Sequence, residues 1–232
     1  MKLYIGTSGF SYAPWKGKFY PKDIHSNEML SYYAERFNSV EINNTFFRMP
    51  QASTLKTWLS DVAAGFRFSF KAPGRITHRR RLKNSEEITA KFLKDVALMR
   101  KCLGAILFQL PPNFKKDISR LEDFLAVLPK KYRFAFEFRH ESWFEDSVFE
   151  SLHSVNAALC IAESEDTPKT PFVATADWGY LRLRRLDYTR AHLKARSQKI
   201  LSQGWSEAFV YFRHEEMALG PSFAKVFEAL TS

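Results

Sequence analysis

Short apolar runs rich in aromatic and β-branched residues recur eight times along the chain. Runs this short, with these residue types, are typical of β-strands. The predicted strands are residues 3–8, 40–46, 67–71, 105–109, 133–139, 159–163, 180–184 and 209–214.

Amphipathic segments with helical spacing lie between most of these strands. They cover residues 29–37, 54–62, 86–102, 118–128, 147–155 and 189–203, and a last one covers residues 222–230. Regular alternation of strand and helix is typical of parallel α/β folds. Eight units in 232 residues favour a closed barrel over an open sheet. We therefore predict one domain over residues 1–232, an α/β fold of the TIM-type (β/α)8 class with eight parallel strands.

The segment between the sixth and seventh strands breaks the alternation. Pro168 and Pro171 interrupt any helix in residues 164–179, because proline lacks the amide hydrogen that a helix interior needs. We predict a long loop in place of the helix after strand 6, in a position to serve as a lid or rim.

The polar residues of the strands share one face. Side chains alternate along a strand, and in a barrel the apolar set packs outward on the helices while the other set points into the lumen. By this parity Glu41 and Asn43 point inward from the second strand, and Glu137 and Arg139 from the fifth. The other inward polar residues near strand ends are Thr45, Lys71, Gln109, Tyr180, Arg182 and Arg184. We expect this set to meet at the carboxyl-terminal mouth, where TIM-type barrels carry their active sites.

A purely structural interpretation of the same set is also open, since buried charges must be paired. Glu137 with Arg139, or Glu41 with Lys71, would then be lumen ion pairs that hold the barrel. Five strands that contribute polar groups to one mouth favour a site over this alternative.

The formal net charge of +10 indicates an anionic partner or a contribution to solubility. Two basic stretches follow strands: residues 74–83 contain no acidic residue, and residues 182–199 contain only Asp187. Such runs are often solvated surface, but their positions after strands favour recognition of an oxyanion by arginine near the mouth. A small phosphate ester and a nucleic-acid backbone both fit.

Cysteine content and terminal sequence bear on the compartment. Cys102 and Cys160 are the two cysteines and form no CxxC motif, which favours a reducing environment. The first residues enter a strand at once, without the apolar core of a signal peptide, and no apolar run approaches a membrane span in length. We expect a cytoplasmic protein with no membrane partner.

Three histidines after strands give a candidate metal constellation, because imidazole and carboxylate suit zinc, manganese or iron. The candidate ligands are His78, His140 and His214 with Glu41, Glu137 or Glu215. No HExxH or comparable spacing is present, so hydrogen-bonded or solvent-facing histidines are the alternative, and no cofactor is specified. Trp143 is one of several aromatic residues near the mouth that could stack on a base or sugar, with packing in the core or at the rim as the alternative.

Several linked motifs resemble the YecE-like family. They are YIGTSGFSY at residues 4–12, FNSVEINNTF at 37–46, FKAP at 70–73 with ITH at 76–78, LFQLPP at 107–112, and EFRHESWF at 137–144. The resemblance extends over nearly the whole chain and implies a TIM-type barrel related to the sugar-isomerase and apurinic-endonuclease group, with no particular reaction attached. The motif residues in this chain are Glu41, Asn43, Lys71, Gln109, Glu137, Arg139 and His140.

The carboxyl-terminal third departs from the family pattern. Glu163 stands where the family commonly has Asp, and Arg184-Arg185 stand where it commonly has His-Gly. Residues 213–215 read Arg-His-Glu where Asn and Asp commonly end the eighth strand. A substrate shared by the family is therefore not assumed for this chain.

Together these observations predict an enzyme that acts on an anionic substrate, either phosphorylated or a nucleic acid. The candidate catalytic residues are Glu41, Glu137, Lys71 and His140, with a glutamate as general acid or base. The candidate substrate-binding residues are Asn43, Gln109, Arg139, His78, Arg182, Arg184 and Trp143. The alternatives are a non-catalytic nucleic-acid-binding protein and a two-carboxylate glycosidase.

Overall fold

The computed structural model describes residues 1–164, 168–213 and 216–231, apart from the side chain of Glu216. The strands in these ranges are β1 Lys2–Ser8, β2 Ser39–Ile42, β3 Arg67–Lys71, β4 Leu103–Gln109, β5 Arg133–Glu137, β6 Ala158–Glu163, β7 Trp178–Leu183 and β8 Glu207–Phe212. The α-helices in the same ranges are α1 Met29–Ala34, α2 Ala52–Ser60, α3 Glu86–Val96, α4 Ile118–Ala126, α5 Asp146–Ser154, α6 Arg190–Leu201 and α7 Leu219–Ala229.

The strands form a closed, all-parallel barrel in chain order. Each strand pairs with its neighbour in sequence, and β1 closes the ring against β8 in register from Lys2 with Glu207 to Thr7 with Phe212. Helices follow seven of the strands, with none assigned after β6 within the described residues. The predicted TIM-type (β/α)8 fold is confirmed.

The segment after β6 packs on the barrel without forming a helix in its described part, residues 168–177. The hydroxyl of Thr175 accepts a hydrogen bond from the amide of Leu159 at 2.7 Å and donates one to the carbonyl of Ala157 at 2.8 Å. Phe172 stacks on Trp205 with ring centroids 5.9 Å apart. The predicted loop is thus held against the start of β6 by Thr175 and against Trp205 by Phe172. Its role as a lid stays a prediction.

The second and fifth predicted strands are among those that extend past the observed strand ends. β2 ends at Ile42, and residues 44–46 form a short 3-10 turn. The hydroxyl of Thr45 donates to the carbonyl of Lys71 at 2.6 Å, so Thr45 fastens the turn to β3 and does not belong to the lumen set. β5 ends at Glu137, two residues before the predicted end. The alternation of apolar and polar residues continues in both cases after the backbone has left the sheet.

Strand parity separates the core into two layers, as predicted. The outer faces of the strands carry large side chains such as Phe68, Phe108 and Phe136, which are fully buried against the helices. The lumen holds a second cluster, whose members on the strands are Tyr4, Ala105, Leu107, Ala135, Ala158, Cys160, Ala162, Trp178, Tyr180, Phe209 and Tyr211. β6 contributes only small side chains to that cluster, which leaves space across the barrel for long ones.

Aromatic and hydroxyl groups fill the lower lumen. Tyr4 stacks on Phe209 at 4.8 Å between centroids. One level higher, the Tyr211 hydroxyl donates to Ser69 Oγ at 2.8 Å and lies 2.6 Å from Ser39 Oγ. These layers form a packed floor, and the charged residues of the lumen lie above it.

Among the described residues, no helix combines the length and the apolar character needed to cross a membrane.

Candidate active site at the carboxyl-terminal mouth

Glu41 lies near the end of β2 and is completely buried. Its Oε1 accepts hydrogen bonds from Ser8 Oγ at 2.7 Å, Asn43 Nδ2 at 3.0 Å and Arg182 Nη2 at 2.9 Å. Its Oε2 accepts from the Tyr180 hydroxyl at 2.6 Å. Burial alone would raise the pKa of Glu41, but the guanidinium of Arg182 and the hydroxyl and amide donors outweigh it, so the pKa is lowered.

Glu137 ends β5 and is likewise completely buried. Its Oε1 accepts from Gln109 Nε2 at 2.9 Å and from Arg184 Nη2 at 2.6 Å, and its Oε2 accepts from Arg182 Nη1 at 2.6 Å. Burial opposes ionisation, yet the two guanidinium groups dominate and hold the pKa of Glu137 well below its usual range. Both glutamates are therefore carboxylates at neutral pH.

Arg182 joins the two carboxylates through different nitrogens of one guanidinium, Nη2 to Glu41 and Nη1 to Glu137. Its side chain is only 3% exposed, and the paired carboxylates overcome its desolvation and raise its pKa further. The planar, always-charged guanidinium suits this bridging role better than an ammonium group would.

The observed ion pairs correct the two pairs considered from the sequence. Neither Glu41 with Lys71 nor Glu137 with Arg139 is among the ion pairs of the described residues. Both glutamates instead bind arginines on β7 or directly after it, and neither β2 nor β5 is adjacent to β7 in the ring. Parity predicts which face a side chain occupies, but it does not say which strand supplies its partner.

Lys71, the last residue of β3, is half-buried beside this network. Its Nζ lies 4.1 Å from the centroid of the Phe46 ring. Desolvation is the main cause that lowers the pKa of Lys71, to about 8, and the positive charge of Arg182 adds to it. The negative charges of Glu137 and Glu41 raise the pKa and offset part of this effect.

His78 follows β3 on a single wide helical turn at residues 75–79, and its ring meets the edge of Phe46 at 4.8 Å between centroids. Its Nδ1 lies 2.9 Å from Thr77 Oγ1. Partial burial and the nearby charges of Lys71 and Arg139 lower the pKa of His78 to about 4. The imidazole is therefore neutral at physiological pH.

Three predicted site residues follow β5. Arg139 is half-buried, and its Nε is buried without a hydrogen-bond partner in the described part of the chain. His140 Nδ1 accepts from the amide of Ser142 at 3.2 Å and so caps the short turn that follows. Trp143 is fully buried, stacks on Phe138 and donates its indole hydrogen to the carbonyl of Phe114, so it belongs to the core instead of offering a face to a ligand.

The candidate metal constellation lies partly outside the described residues, because His214 and Glu215 are not among them. Within residues 1–164, 168–213 and 216–231 no group of three histidine, cysteine or acidic side chains is placed to hold a metal ion. Both Glu41 and Glu137 are already occupied by arginine and neutral donors.

The basic stretches divide between the mouth and the outer surface. Arg75, Arg79 and Arg80 are exposed around the turn after β3. In the second stretch, Arg196 on α6 pairs with Glu163, and its guanidinium lies 5.7 Å from the Phe172 ring in the loop after β6. Much of the later stretch thus follows α6 away from the mouth.

Two residues of the network were not singled out as site residues from the sequence. Ser8 ends β1 and is register-paired with Glu41, and Tyr180 shares its lumen face with Arg182. In the sequence, the position of Ser8 at the end of a strand and the strand parity that Tyr180 shares with Arg182 are the features that point to these two residues.

A cavity of about 420 Å³ adjoins the network, with lining residues that include Tyr12, Leu30, Asn43 and Trp58. Asn43 lines this cavity and also accepts a hydrogen bond from Arg182 Nη2 at 3.2 Å. The cavity thus meets the network at Asn43, and the charged residues of the network do not line it.

Fold and site together define a TIM-type barrel protein with a network of carboxylates and guanidinium groups in its carboxyl-terminal mouth. The family model described as "Protein of unknown function DUF72" matches residues 4–232. The chain belongs to the DUF72 family.

Curated relatives agree with the family resemblance seen in the motifs. UPF0759 protein YecE of Escherichia coli K12 is 29% identical over 168 residues, 70% of this chain and 59% of that protein. UPF0759 protein YunF of Bacillus subtilis is 27% identical over 164 residues, 66% of this chain and 56% of that protein. The chain therefore spans less than two thirds of the length of the curated relatives it matches.

Solved structures of the family share the fold. A DUF72 family protein from Thermotoga maritima superposes with a TM-score of 0.87 at 26% identity and covers 99% of both chains. A DUF72 family protein from Enterococcus faecalis gives a TM-score of 0.81 at 20% identity, with 99% of this chain and 95% of that one covered. The predicted YecE-like relationship is confirmed.

Proposed function

We propose that this protein is an enzyme that acts on a small anionic substrate, phosphorylated or carboxylated, held at the carboxyl-terminal mouth of the barrel. The main observation behind this proposal is the balance of charge between the buried carboxylates and the arginines that bind them. Glu41 and Glu137 are neutralised by Arg182 and Arg184, so these four groups sum to no net charge. Lys71 then adds positive charge beside them, in a partly desolvated position where an anion interacts more strongly than in water.

Arg139 supports an anionic ligand through an unsatisfied donor. Its Nε is buried and has no hydrogen-bond partner among the described residues. A buried donor without a partner costs about 1–3 kcal/mol. An oxyanion of the substrate would accept that hydrogen bond and pair with the charge.

The carboxylates serve in this proposal to position the arginines. A glutamate that acts as general acid needs a raised pKa, whereas the pKa values of both Glu41 and Glu137 are lowered. The same fact disfavours a two-carboxylate glycosidase, which needs one protonated carboxyl group. Lys71, whose pKa is about 8, is the better candidate for proton exchange near neutral pH.

Isothermal titration calorimetry with inorganic phosphate tests the anion site. We expect Arg139→Gln to weaken binding at least about tenfold, in line with the loss of a hydrogen bond to a charged group. Lys101→Gln removes the same charge from an exposed position at the opposite, amino-terminal end of the barrel and should leave the affinity within about twofold. Equal affinities for the wild type and Arg139→Gln would reject the site.

A nucleic-acid ligand is the second candidate, favoured by the exposed Arg75, Arg79 and Arg80 beside the mouth. Binding through these residues would fall steeply with salt as counterions are released. The test is to titrate a single-stranded oligonucleotide at several salt concentrations into the wild type and into a variant with all three arginines changed to glutamine. A nucleic-acid site predicts tight, salt-sensitive binding to the wild type and much weaker binding to the variant. No measurable binding at low salt rejects the nucleic-acid candidate.

A further inference from the structure

Lys71 differs from Arg182 and Arg184 in its contacts. The guanidinium groups of Arg182 and Arg184 bind carboxylates, but Lys71 Nζ has no ion pair or hydrogen bond to any residue within 1–164, 168–213 and 216–231. It rests on the face of Phe46 instead, 4.1 Å from the ring centroid. The amine is therefore held in place by packing, with its nitrogen lone pair not engaged by a donor.

The Phe46 ring occupies space that is open because Gly74 has no side chain. A Cβ atom added to Gly74 would lie 2.7 Å from Cζ of the Phe46 ring, closer than real Cβ contacts allow. The ring thus fits between Gly74 and Lys71, with the edge-on contact to His78 on a further side. This arrangement fixes an apolar platform under the amine.

Burial favours the neutral form of Lys71, and this desolvation is the main cause of its lowered pKa. Arg182 and, more weakly, Arg184 lower the pKa as well, while Glu137 and Glu41, which are bound to those arginines, raise it. With a pKa of about 8, roughly a tenth of the lysine is the free amine at pH 7. A desolvated lysine next to other cations is a recognised way to activate an amine nucleophile.

We propose that Lys71 forms a covalent imine with the carbonyl carbon of an anionic aldehyde or ketone bound at the mouth. The inference rests on the proposed function, because the anionic group is held by the same cationic site. Lys71 is only half-buried and its Nζ rests on the Phe46 ring, which leaves the amine open to a carbonyl group that enters from the mouth.

The reaction balances without an oxidant or reductant. The Nζ lone pair forms the C–N bond while the carbonyl π pair moves to oxygen, and a proton passes from nitrogen to that oxygen to give a carbinolamine. The remaining N–H proton then passes to the hydroxyl group, the C–O bond breaks with loss of water, and the nitrogen electron pair completes the C=N bond of the imine. His78, which is neutral and packs on the same Phe46 ring, is the nearby group that carries the proton between nitrogen and oxygen.

Reductive trapping of the intact protein tests the imine. Glyoxylate, an aldehyde with a carboxylate, is added with cyanoborohydride, which delivers hydride to an imine carbon and makes the adduct permanent. Peptide mass mapping then gives the labelling rate of each lysine. We expect Lys71 to react at least about tenfold faster at pH 7 than Lys91, an exposed lysine on α3 with an ordinary environment.

Three further readouts separate an activated amine from an accessible one. The rate at Lys71 should rise with a midpoint near pH 8, and phosphate should protect Lys71 but not Lys91. Acetaldehyde, which lacks an anionic group, should show a smaller preference for Lys71 than glyoxylate does, because only the lowered pKa then favours this lysine. Arg184→Gln should move the midpoint upward, because a cation that lowers the pKa has been removed.

The outcomes distinguish the two proposals. If phosphate binds at the mouth but Lys71 reacts no faster than Lys91, the imine is rejected and the anion site stands. If phosphate binding is also absent, both proposals fail. Selective labelling with a midpoint near pH 10, unchanged in Arg184→Gln, would likewise contradict the proposed activation.

Discussion

At the scale of the residue, one guanidinium organises the mouth. Arg182 donates to both buried carboxylates, and each carboxylate completes its shell with neutral donors or with Arg184. Burying an ion pair in a barrel interior costs desolvation free energy, and a protein with well-packed apolar residues in the same place is often as stable. A gain in stability therefore does not by itself account for the network, and this supports the proposed anion site.

Removal of Arg182 should be severe, because it leaves two buried carboxylates with too little positive charge. We expect Arg182→Met to lower the free energy of unfolding by about 3–5 kcal/mol, as measured by urea denaturation at pH 7. The matched control is Arg185→Met, which breaks the exposed pair of Arg185 with Asp187 and should leave stability close to that of the wild type. Similar losses in both variants would contradict a structural bridge at Arg182.

Glu137 predicts a specific pH dependence of stability. Its pKa in the folded protein lies below the ordinary value of 4.5, so its contribution is full above that pH and is lost as the pH falls toward the folded value. Glu137→Gln lacks this contribution. The difference in unfolding free energy between the wild type and Glu137→Gln should therefore be largest near neutrality and shrink below about pH 4.5.

Urea denaturation at a series of pH values from neutral to acid measures that difference. Glu122→Gln is a control, since Glu122 lies outside the lumen on α4 and accepts a hydrogen bond only from Ser151 among the described residues. A gap between wild type and Glu137→Gln that stays constant with pH would contradict the lowered pKa.

At the scale of the element, β7 and the residue directly after it supply the two arginines that bind the carboxylates, and the described residues 168–177 before β7 form no helix. Arg182 and Tyr180 point into the lumen because they alternate with the outward Leu181 and Leu183. The small residues of β6 leave the room that these long side chains need. The loop between β6 and β7 is anchored by Thr175, whose hydroxyl satisfies two backbone groups of the barrel edge.

Thr175→Val tests this anchor with little change of shape. The substitution leaves the buried amide of Leu159 and carbonyl of Ala157 without their hydroxyl partner, which should cost about 1–3 kcal/mol of unfolding free energy. Hydrogen exchange at the Leu159 amide should accelerate, as a local readout. Thr57→Val, at an exposed helical position, is the control. Unchanged exchange at Leu159 would show that the loop is held by other contacts.

The elements were predicted better than their ends. Prolines 168 and 171 marked the missing helix correctly, and parity gave the lumen face of β2, β5 and β7. The end of β2 was placed four residues late, since Thr45 continues the polar alternation although its hydroxyl bonds to the carbonyl of Lys71. Trp143 was predicted at the mouth because it follows β5, and only packing against Phe138 places it in the core.

At the scale of the whole molecule, the closed barrel brings together residues that are distant in the chain. Glu41 and Arg182 are 141 positions apart, and the sequence alone could assign both to one mouth but not to one hydrogen bond. The partner of each carboxylate depends on which strands face each other across the ring. The charge of +10 likewise predicted an anionic partner without separating the exposed arginines from the partly buried Lys71 and Arg139.

The proposed cationic site beside the self-neutralised network can be located in a crystal of the protein soaked with selenate, which is identified by its anomalous signal. We expect a selenate peak in the mouth within hydrogen-bond distance of Arg139, with Lys71 and Arg184 around it. That peak should be lost in Arg139→Gln. Peaks only at the exposed Arg75, Arg79 and Arg80, or an unaltered peak in Arg139→Gln, would contradict the proposed site.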